Sequence, residues 1–499
     1  METVLLIASQ AFMVASHPAG YICEIKILAL LSIICAILQL TKLRLPSWIK
    51  QYVRPGADIV PFYGCVIFSS ILFIDDKSPF VVQTSMCFSL LCVAAIPIFS
   101  RMKLVAKGLS VIFVAGTISF YVLGCSFDTT KLFSNMPPLL LYMTHFSLFS
   151  IVFLVCLLSS PGSFSVGESI LVSQMVTVLF NFTDSTHELE HSNKLMEISL
   201  VAARLTIFLI LVSMSLFYFF NTTTTRTVIF YTLMLCVMVV FCILYTPWLI
   251  DCMLFAVKFL TSNYPQRMRL LMFWGFISIL CLVFIVVRSR QGKASTMERK
   301  AFHLFILLVY IPGFMFDIPL LFICSVFVAI VFLVAGTMQA FQIEPVGYLL
   351  ERQFRRFKSL QDTGSLVVTP ICLLLGMSLP LWLSCAKDPD ILVETHRLPP
   401  IASYSGIISV GIGDAMASVC GSIYGTLNFP KRRKTVEGTL ASILAQVLFV
   451  YALSLSGNID NGSSNIILAI IVGALIEAYT REVDNLVVPL LVYFLLDII

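Results

Sequence analysis

The stretch "GIGDAMASVCGSIYG", Gly411 to Gly425, places one carboxylate, Asp414, among Gly411, Gly413, Ala415, Ala417, Ser418, Gly421, Ser422 and Gly425. The whole stretch falls in an apolar segment long enough to cross a bilayer. At the bilayer centre an unpaired acid costs at least ~2.5 kcal/mol, so Asp414 needs a cation, a metal or water beside it. Side chains this small let a second backbone or a ligand come close, and a plain helix-packing seam uses them in the same way. Six residues on, "KRRKTVEG" supplies Lys431, Arg432, Arg433, Lys434, Thr435, Glu437 and Gly438. Four consecutive cations often mark only a membrane boundary or an anionic-lipid patch. Set beside an acid and small residues at one membrane face, they meet the needs of a nucleoside triphosphate carrying a divalent metal. The spacing is not that of a Walker A loop, because no Gly precedes Lys434 in the required register.

Other chemistry-bearing residues lie at the same predicted face. "EAYTREVDN" holds Glu477, Asp484 and Asn485, compatible with metal ligation and equally with capping of a helix hairpin. Glu477 and Asp484 are seven residues apart, so they share a helix face only if the helix runs through both. "ERKAFH" brings Arg299, Lys300 and His303 to the start of a span, where His303 is either a general base or phosphate contact, or a packed interfacial side chain. "PGSFSVGES" sets Glu168 just inside another. "HELEH", His187 to His191, fits the H-E-x-x-H zinc pattern but lies in a short polar loop with no third ligand in view, and reads as a solvated loop.

The elements that must position these groups are transmembrane helices. Of 499 residues 59% are hydrophobic and 12% charged, and the mean hydropathy is +0.97. About 15 to 17 spans of roughly 20 residues fill the chain, predicting an all-α polytopic membrane protein with no room for a soluble domain. The predicted spans include 138–160, 167–181, 197–220, 227–250, 268–287, 300–316, 319–340, 364–385, 402–424, 436–456, 464–480 and 483–499. Most of the 32 Lys and Arg residues fall in alternate loops when the N-terminus is placed in the cytoplasm. That threading puts Arg54, Glu168, Lys300, Lys358, Lys431 to Lys434 and Arg481 on the cytoplasmic side. A soft division separates residues 1–295, a multi-span N-terminal region, from 296–499, which holds nearly all polar groups at membrane depth. A net charge of +5 is too small to argue for nucleic acid. The 15 cysteines, without a C-x-x-C pair, read as packing residues. Sequons occur at Asn181, Asn221 and Asn461, the first and last on the lumenal side of this threading.

"GDAMASVCGSIYGTLNFPKRRKTVEGTLAS" resembles the nucleotide-binding block of the CTP-dependent polyprenol kinases, with support from "RKAFH", "SFSVGES", "LLLGMSLPLWL" and "DNLVVP". These matches span mainly residues 299–489. The chain departs from that family's acid-rich stretch at "FKSLQDTGSL", which keeps Asp362 and Gly364 with fewer charges. The resemblance implies transfer of the γ-phosphoryl group of CTP to dolichol at the cytoplasmic face of the endoplasmic reticulum membrane, yielding dolichyl phosphate for N-glycosylation and related glycan assembly. It implies that Gly421, Gly425, Lys431 to Thr435, Glu437 and Gly438 bind CTP, with Mg2+ held by Asp414 together with Asp484 or Glu437. It also makes Asp414 catalytic, with His303 or a carboxylate as base. Two rivals stand beside it. A membrane cytidylyltransferase also joins CTP to a lipid, but its motif continues into H-G-G and D-R-x-D, which do not follow Lys434. A transporter would use an intramembrane acid, yet no paired broken spans occur in two matching halves.

Overall fold

The computed structural model describes residues 138–181, 192–220, 222–289, 296–354, 362–393, 398–430, 434–457, 464–480 and 483–498, with 52–54, 68, 71, 357 and 358. Among the described residues the protein is all-α. The helices are α1 (Pro138–Leu158), α2 (Val166–Asn181), α3 (Ser192–Phe217), α4 (Thr223–Leu244), α5 (Thr246–Ser262), α6 (Tyr264–Ser289) and α7 (Thr296–Phe316). They continue with α8 (Ile318–Phe341), α9 (Val346–Phe354), α10 (Thr369–Lys387), α11 (Ala415–Tyr424), α12 (Val436–Leu455), α13 (Ser464–Tyr479) and α14 (Asp484–Ile498). Between α10 and α11 come two 3-10 turns, Pro389–Leu392 and Ile401–Tyr404, and a π-helical stretch, Ile407–Asp414. By length and composition, 8 helical segments among the described residues are suited to crossing a membrane. The five predicted spans that precede residue 138 lie almost wholly outside the described residues.

The predicted spans from residue 138 onward all find a helix, with two differences. The span expected to reach residue 250 stops at Leu244, because Pro247 cannot donate to the ladder and instead suits the first turn of a new helix. The loop expected after it is α5, which buries none of its side chains and exposes Met253, Leu254 and Val257. A short helix, α9, also forms where a loop was expected.

Burial divides the bundle. On α4 to α6, large apolar side chains such as Leu235, Ile243, Met272, Ile279 and Leu282 stand exposed, as lipid-facing surfaces do. The core is centred on α14, whose sequence is apolar all round, with Val487, Leu490, Leu491, Val492 and Phe494 fully buried. Helix α10 reaches it closely through Gly376, where an added Cβ would lie 1.8 Å from the Asn485 carbonyl oxygen. Any side chain there would push the two helices apart.

Segments predicted to share one side of the membrane are in contact. The Arg54 amide donates to the Phe164 carbonyl (3.0 Å), the Gly162 amide to Tyr52 (2.9 Å), and the Thr363 hydroxyl to Gly162 (3.0 Å). At the other end of the helices Arg267 meets Asp317 and Lys387 meets Asp497.

Candidate active site

Asp414 closes the π-helical stretch and is 6% exposed. A π turn bonds i to i+5 and so widens the helix; such stretches recur at functional sites. Asp414 Oδ2 accepts a hydrogen bond from Lys300 Nζ and lies 3.7 Å from His303 Nε2. Lys300 and His303 stand three residues apart on α7, on one helix face, which is why both reach the same carboxylate. His303 Nδ1 lies 3.2 Å from the Val410 carbonyl. A carbonyl can only accept, so this contact puts a proton on Nδ1, and Nε2 of the neutral ring keeps a lone pair on the Asp414 side.

A second cluster forms around Lys434. Its Nζ donates to the Glu477 carbonyl (2.7 Å), to Glu477 Oε1 (3.2 Å) and to Asp484 Oδ2 (3.0 Å). An ammonium has three N–H donors, and here three oxygens receive them. Burial pulls the Lys434 pKa down, but the carboxylates of Glu477, Asp484 and Asp414 more than offset it and hold the pKa above its ordinary 10.5. The ammonium is therefore charged at any working pH, and its pairing is lost only when alkali passes that raised value. The same balance places Asp414 within the electrostatic field of Lys434. Helix α13 ends at Tyr479 and α14 starts at Asp484, so Glu477 and Asp484 share no helix face; the ammonium brings them together.

Glu168 joins a third group of segments. With Ser165 it forms a capping box at the start of α2: the Ser165 amide donates to Glu168 Oε2 (2.8 Å) and the Glu168 amide to Ser165 Oγ (3.2 Å). Its Oε1 also accepts from Arg54 Nη2 (2.6 Å) and from the Val483 amide (3.1 Å). Arg54 and Glu168 are 6% and 4% exposed.

The remaining predicted residues separate by what they touch. Glu437 Oε1 accepts from the amides of Thr426 and Leu427, each at 3.0 Å, and from the Thr426 hydroxyl; this carboxylate holds the turn ahead of α12. Thr435 caps α12, accepting from the Gly438 amide (3.2 Å). Gly421 and Gly438 face each other across α11 and α12, where a Cβ on Gly438 would lie 2.6 Å from the Ala417 carbonyl. Gly425 fits against Gly421 and Thr435 in the same seam. These glycines thus have a packing reason of their own, and their side-chain faces are turned to protein. Asp362 Oδ1 accepts from the amides of Val368 (2.8 Å) and Thr369 (3.0 Å), and Oδ2 from the Thr369 hydroxyl (2.7 Å), fixing the entry to α10. Arg299 is half-buried beside Lys300. Asn485 is buried, and its Oδ1 has no partner among the described residues.

Lys431, Arg432, Arg433 and the "HELEH" loop lie outside the described residues, as do Asn221, Asn461 and the Asn181 side chain. Among the described residues, no three His, Cys, Asp or Glu side chains are grouped to hold a metal ion. Two participants were not singled out from sequence. Arg54 reads in the sequence only as a loop cation, and the S-x-x-E spacing of Ser165 and Glu168 is the available signal for the capping box.

Comparison with known proteins adds a different kind of observation. A dolichol kinase family model matches residues 65–371. A dolichol kinase of Mus musculus is 32% identical over 401 residues, covering 77% of this chain and 73% of its own. One of Homo sapiens is 31% identical over 405 residues with the same coverage. Dolichol kinase EVAN of Arabidopsis thaliana is 29% identical over 250 residues, 49% of this chain and 42% of its own. No solved structure matches. The family match ends before Asp414, so it speaks for the family and not for the roles of the residues around that acid.

Proposed function

Because the chain belongs to the dolichol kinase family, we propose that it transfers the γ-phosphoryl group of CTP to the terminal hydroxyl of dolichol. In this reading the reaction takes place at the cytoplasmic face of the endoplasmic reticulum membrane, and dolichyl phosphate leaves for N-glycosylation and related glycan assembly. The observation that supports it is that two clusters, Asp414 with Lys300 and His303 and Lys434 with Glu477 and Asp484, lie within electrostatic reach of each other at one end of an apolar bundle. A lipid alcohol presents its hydroxyl from the headgroup region and a triphosphate arrives from water, so only an interfacial site serves both.

Phosphoryl transfer is mainly positioning and electrostatics. The lipid oxygen forms a bond to the γ-phosphorus as the bond to the β-bridging oxygen breaks, CDP leaves, and the hydroxyl proton passes to a base. His303 Nε2 is the base that this geometry offers: its lone pair faces Asp414, and the Val410 carbonyl fixes the ring. Lys300 leaves its contact with Asp414 to meet charge on the transferring group. Lys431, Arg432 and Arg433 bind the triphosphate, and neutralising one of them weakens CTP binding more than turnover.

The family's reaction calls for Mg2+, which asks for one or two carboxylates and completes its shell with phosphate and water. Asp414 and Asp484 would hold it, each now accepting from a lysine, Lys300 and Lys434 respectively. When bound, the ion would offset charge on the β and γ oxygens. Glu437 is a poorer ligand, engaged as it is with Thr426 and Leu427.

Purified protein incubated with Mg2+, γ-labelled CTP and dolichol, with ATP in a parallel reaction, tests the reading. Label on the lipid from CTP supports it. Cytidine retained on the lipid would assign a cytidylyltransferase instead, and solute flux in vesicles without transfer would assign a transporter.

A further inference from the structure

Glu168 does more than cap its own helix. The capping box needs only its Oε2 and the Ser165 hydroxyl. Its Oε1 is shared between Arg54 and the Val483 amide, 315 residues away in the chain. Val483 is the residue before α14, where amides lack partners within the helix and a carboxylate is electrostatically favoured. The next residue is Asp484, which accepts from Lys434. Lys434 in turn pairs through its main chain with Phe429 (3.0 Å), and Val436 with Leu427 (2.8 Å), so the turn leading into α12 is tied to the same point. The three N–H donors of Lys434 are taken by Glu477 and Asp484, which makes it an anchor for this turn rather than a free cation for phosphate.

We infer that Glu168 is a positioning residue that acts through Val483 and Asp484 on Lys434, setting the turn between α11 and α12 and hence the nucleotide site. This inference rests on the phosphoryl-transfer reading for its kinetic consequence and on the hydrogen-bond chain for its structural one. Arg54 is the counter-charge paired with this buried carboxylate. The first 295 residues thereby hold a part of the site that residues 296–499 build.

Hydrogen exchange on the full chain in detergent reads the structural consequence without any assay of activity. Glu168→Gln is expected to speed exchange at least fivefold in residues 426–438 and 483–487. Ser165→Ala, which removes only the hydroxyl half of the capping box, is expected to change those segments less than twofold. Should Glu168→Gln fail to accumulate, Val483→Pro removes the donated amide, together with a buried valine side chain, and carries the same expectation. Equal effects of the Glu168 and Ser165 variants would reduce Glu168 to a helix cap. No change at 426–438, or faster exchange spreading equally to the Arg267 and Asp317 end, would overturn the inference as well.

The kinetic test uses a double-mutant cycle. Glu168→Gln and Lys434→Met are each expected to raise KM for CTP about tenfold with KM for dolichol within twofold. The double variant is expected to be no worse than Lys434→Met alone. Multiplied effects, or equal rises in both KM values, would refute action through Lys434. A wild-type protein that phosphorylates no dolichol would sink the function proposed above, while the exchange measurement would still decide the role of Glu168.

Discussion

The two ends of the helix bundle use ion pairs in different ways. Helices α7 and α14 each run from one end to the other, with Lys300 and Asp484 at the first and Asp317 and Asp497 at the second. At the second end, Arg267 and Asp317 are satisfied within a small closed set. Asp317 Oδ2 accepts from Arg267 Nε at 2.6 Å, its Oδ1 caps α8 at Leu320 (2.9 Å), and the guanidinium lies 3.7 Å from the centre of the Phe259 ring. Both side chains of this pair are sealed from outside, at 5% and 1% exposure, unlike the Lys387–Asp497 pair at the same end. At the first end one ammonium serves two acids, one carboxylate faces a lysine and a histidine, and Lys434 keeps 37% of its side chain exposed. Of these, the Lys300–Asp414 pair can exchange partners with an incoming polyanion, while Lys434, its three donors taken, anchors the turn that carries the neighbouring cations. Closed pairs can only hold.

Four substitutions would break or sharpen that contrast. Asp414→Asn is expected to lower phosphate transfer by about 10,000-fold, ~5 kcal/mol on the barrier, with the helical circular dichroism retained. A variant that still labels dolichol at the wild-type rate would remove Asp414 from the mechanism. Arg267→Met strands the buried Asp317 charge and should destabilise the fold by about 3–4 kcal/mol, read from detergent-solubilised thermal unfolding. Its rate per folded molecule should stay within about twofold of wild type, and a selective loss of rate would mean that the second end is not merely structural. Gly438→Ala drives a methyl against the Ala417 carbonyl and should cost about 1–3 kcal/mol through the α11–α12 seam. If unfolding is unchanged, the seam is looser than its contacts imply. Lys387→Met removes a half-exposed pair with Asp497 and should change stability by less than about 1 kcal/mol. A larger shift would show that even the open pair at that end bears on the fold.

Hydropathy alone located the helices from residue 138 on other than α5 and α9, because lipid exposure demands long apolar runs. It failed at Pro247, where a proline inside an apolar stretch starts a separate helix rather than bending one. It failed also to foresee the π-helical stretch before Asp414, since an extra residue in a turn leaves no mark in composition. For the site, Asp414 was legible as a carboxylate that required a partner, and Lys300 and His303 as polar groups entering a nearby span. Their meeting was not, because 111 residues and several helices separate His303 from Asp414. The glycines of "SVCGSIYG" and "VEG" showed that something approaches closely, but spacing cannot say whether a backbone or a nucleotide does so. Here the neighbouring helix occupies that space at Gly421 and Gly438. Glu437 and Asp362 had the right chemistry for a metal, yet each is drawn to nearby amides that need an acceptor, a local demand that competes with any ligand role.

The widened turn at Ile407–Asp414 makes residue number, as well as residue type, a determinant of the chemistry. A π turn takes up one residue more than an α turn, so removing a residue would let the segment relax to ordinary winding with little change of phase. Adding one between Val410 and Asp414 would swing the acid about 100° around the axis, off the lysine and histidine that now hold it. Such a lengthened chain would keep every charged group in its sequence, and the two halves of the reaction would no longer face one another.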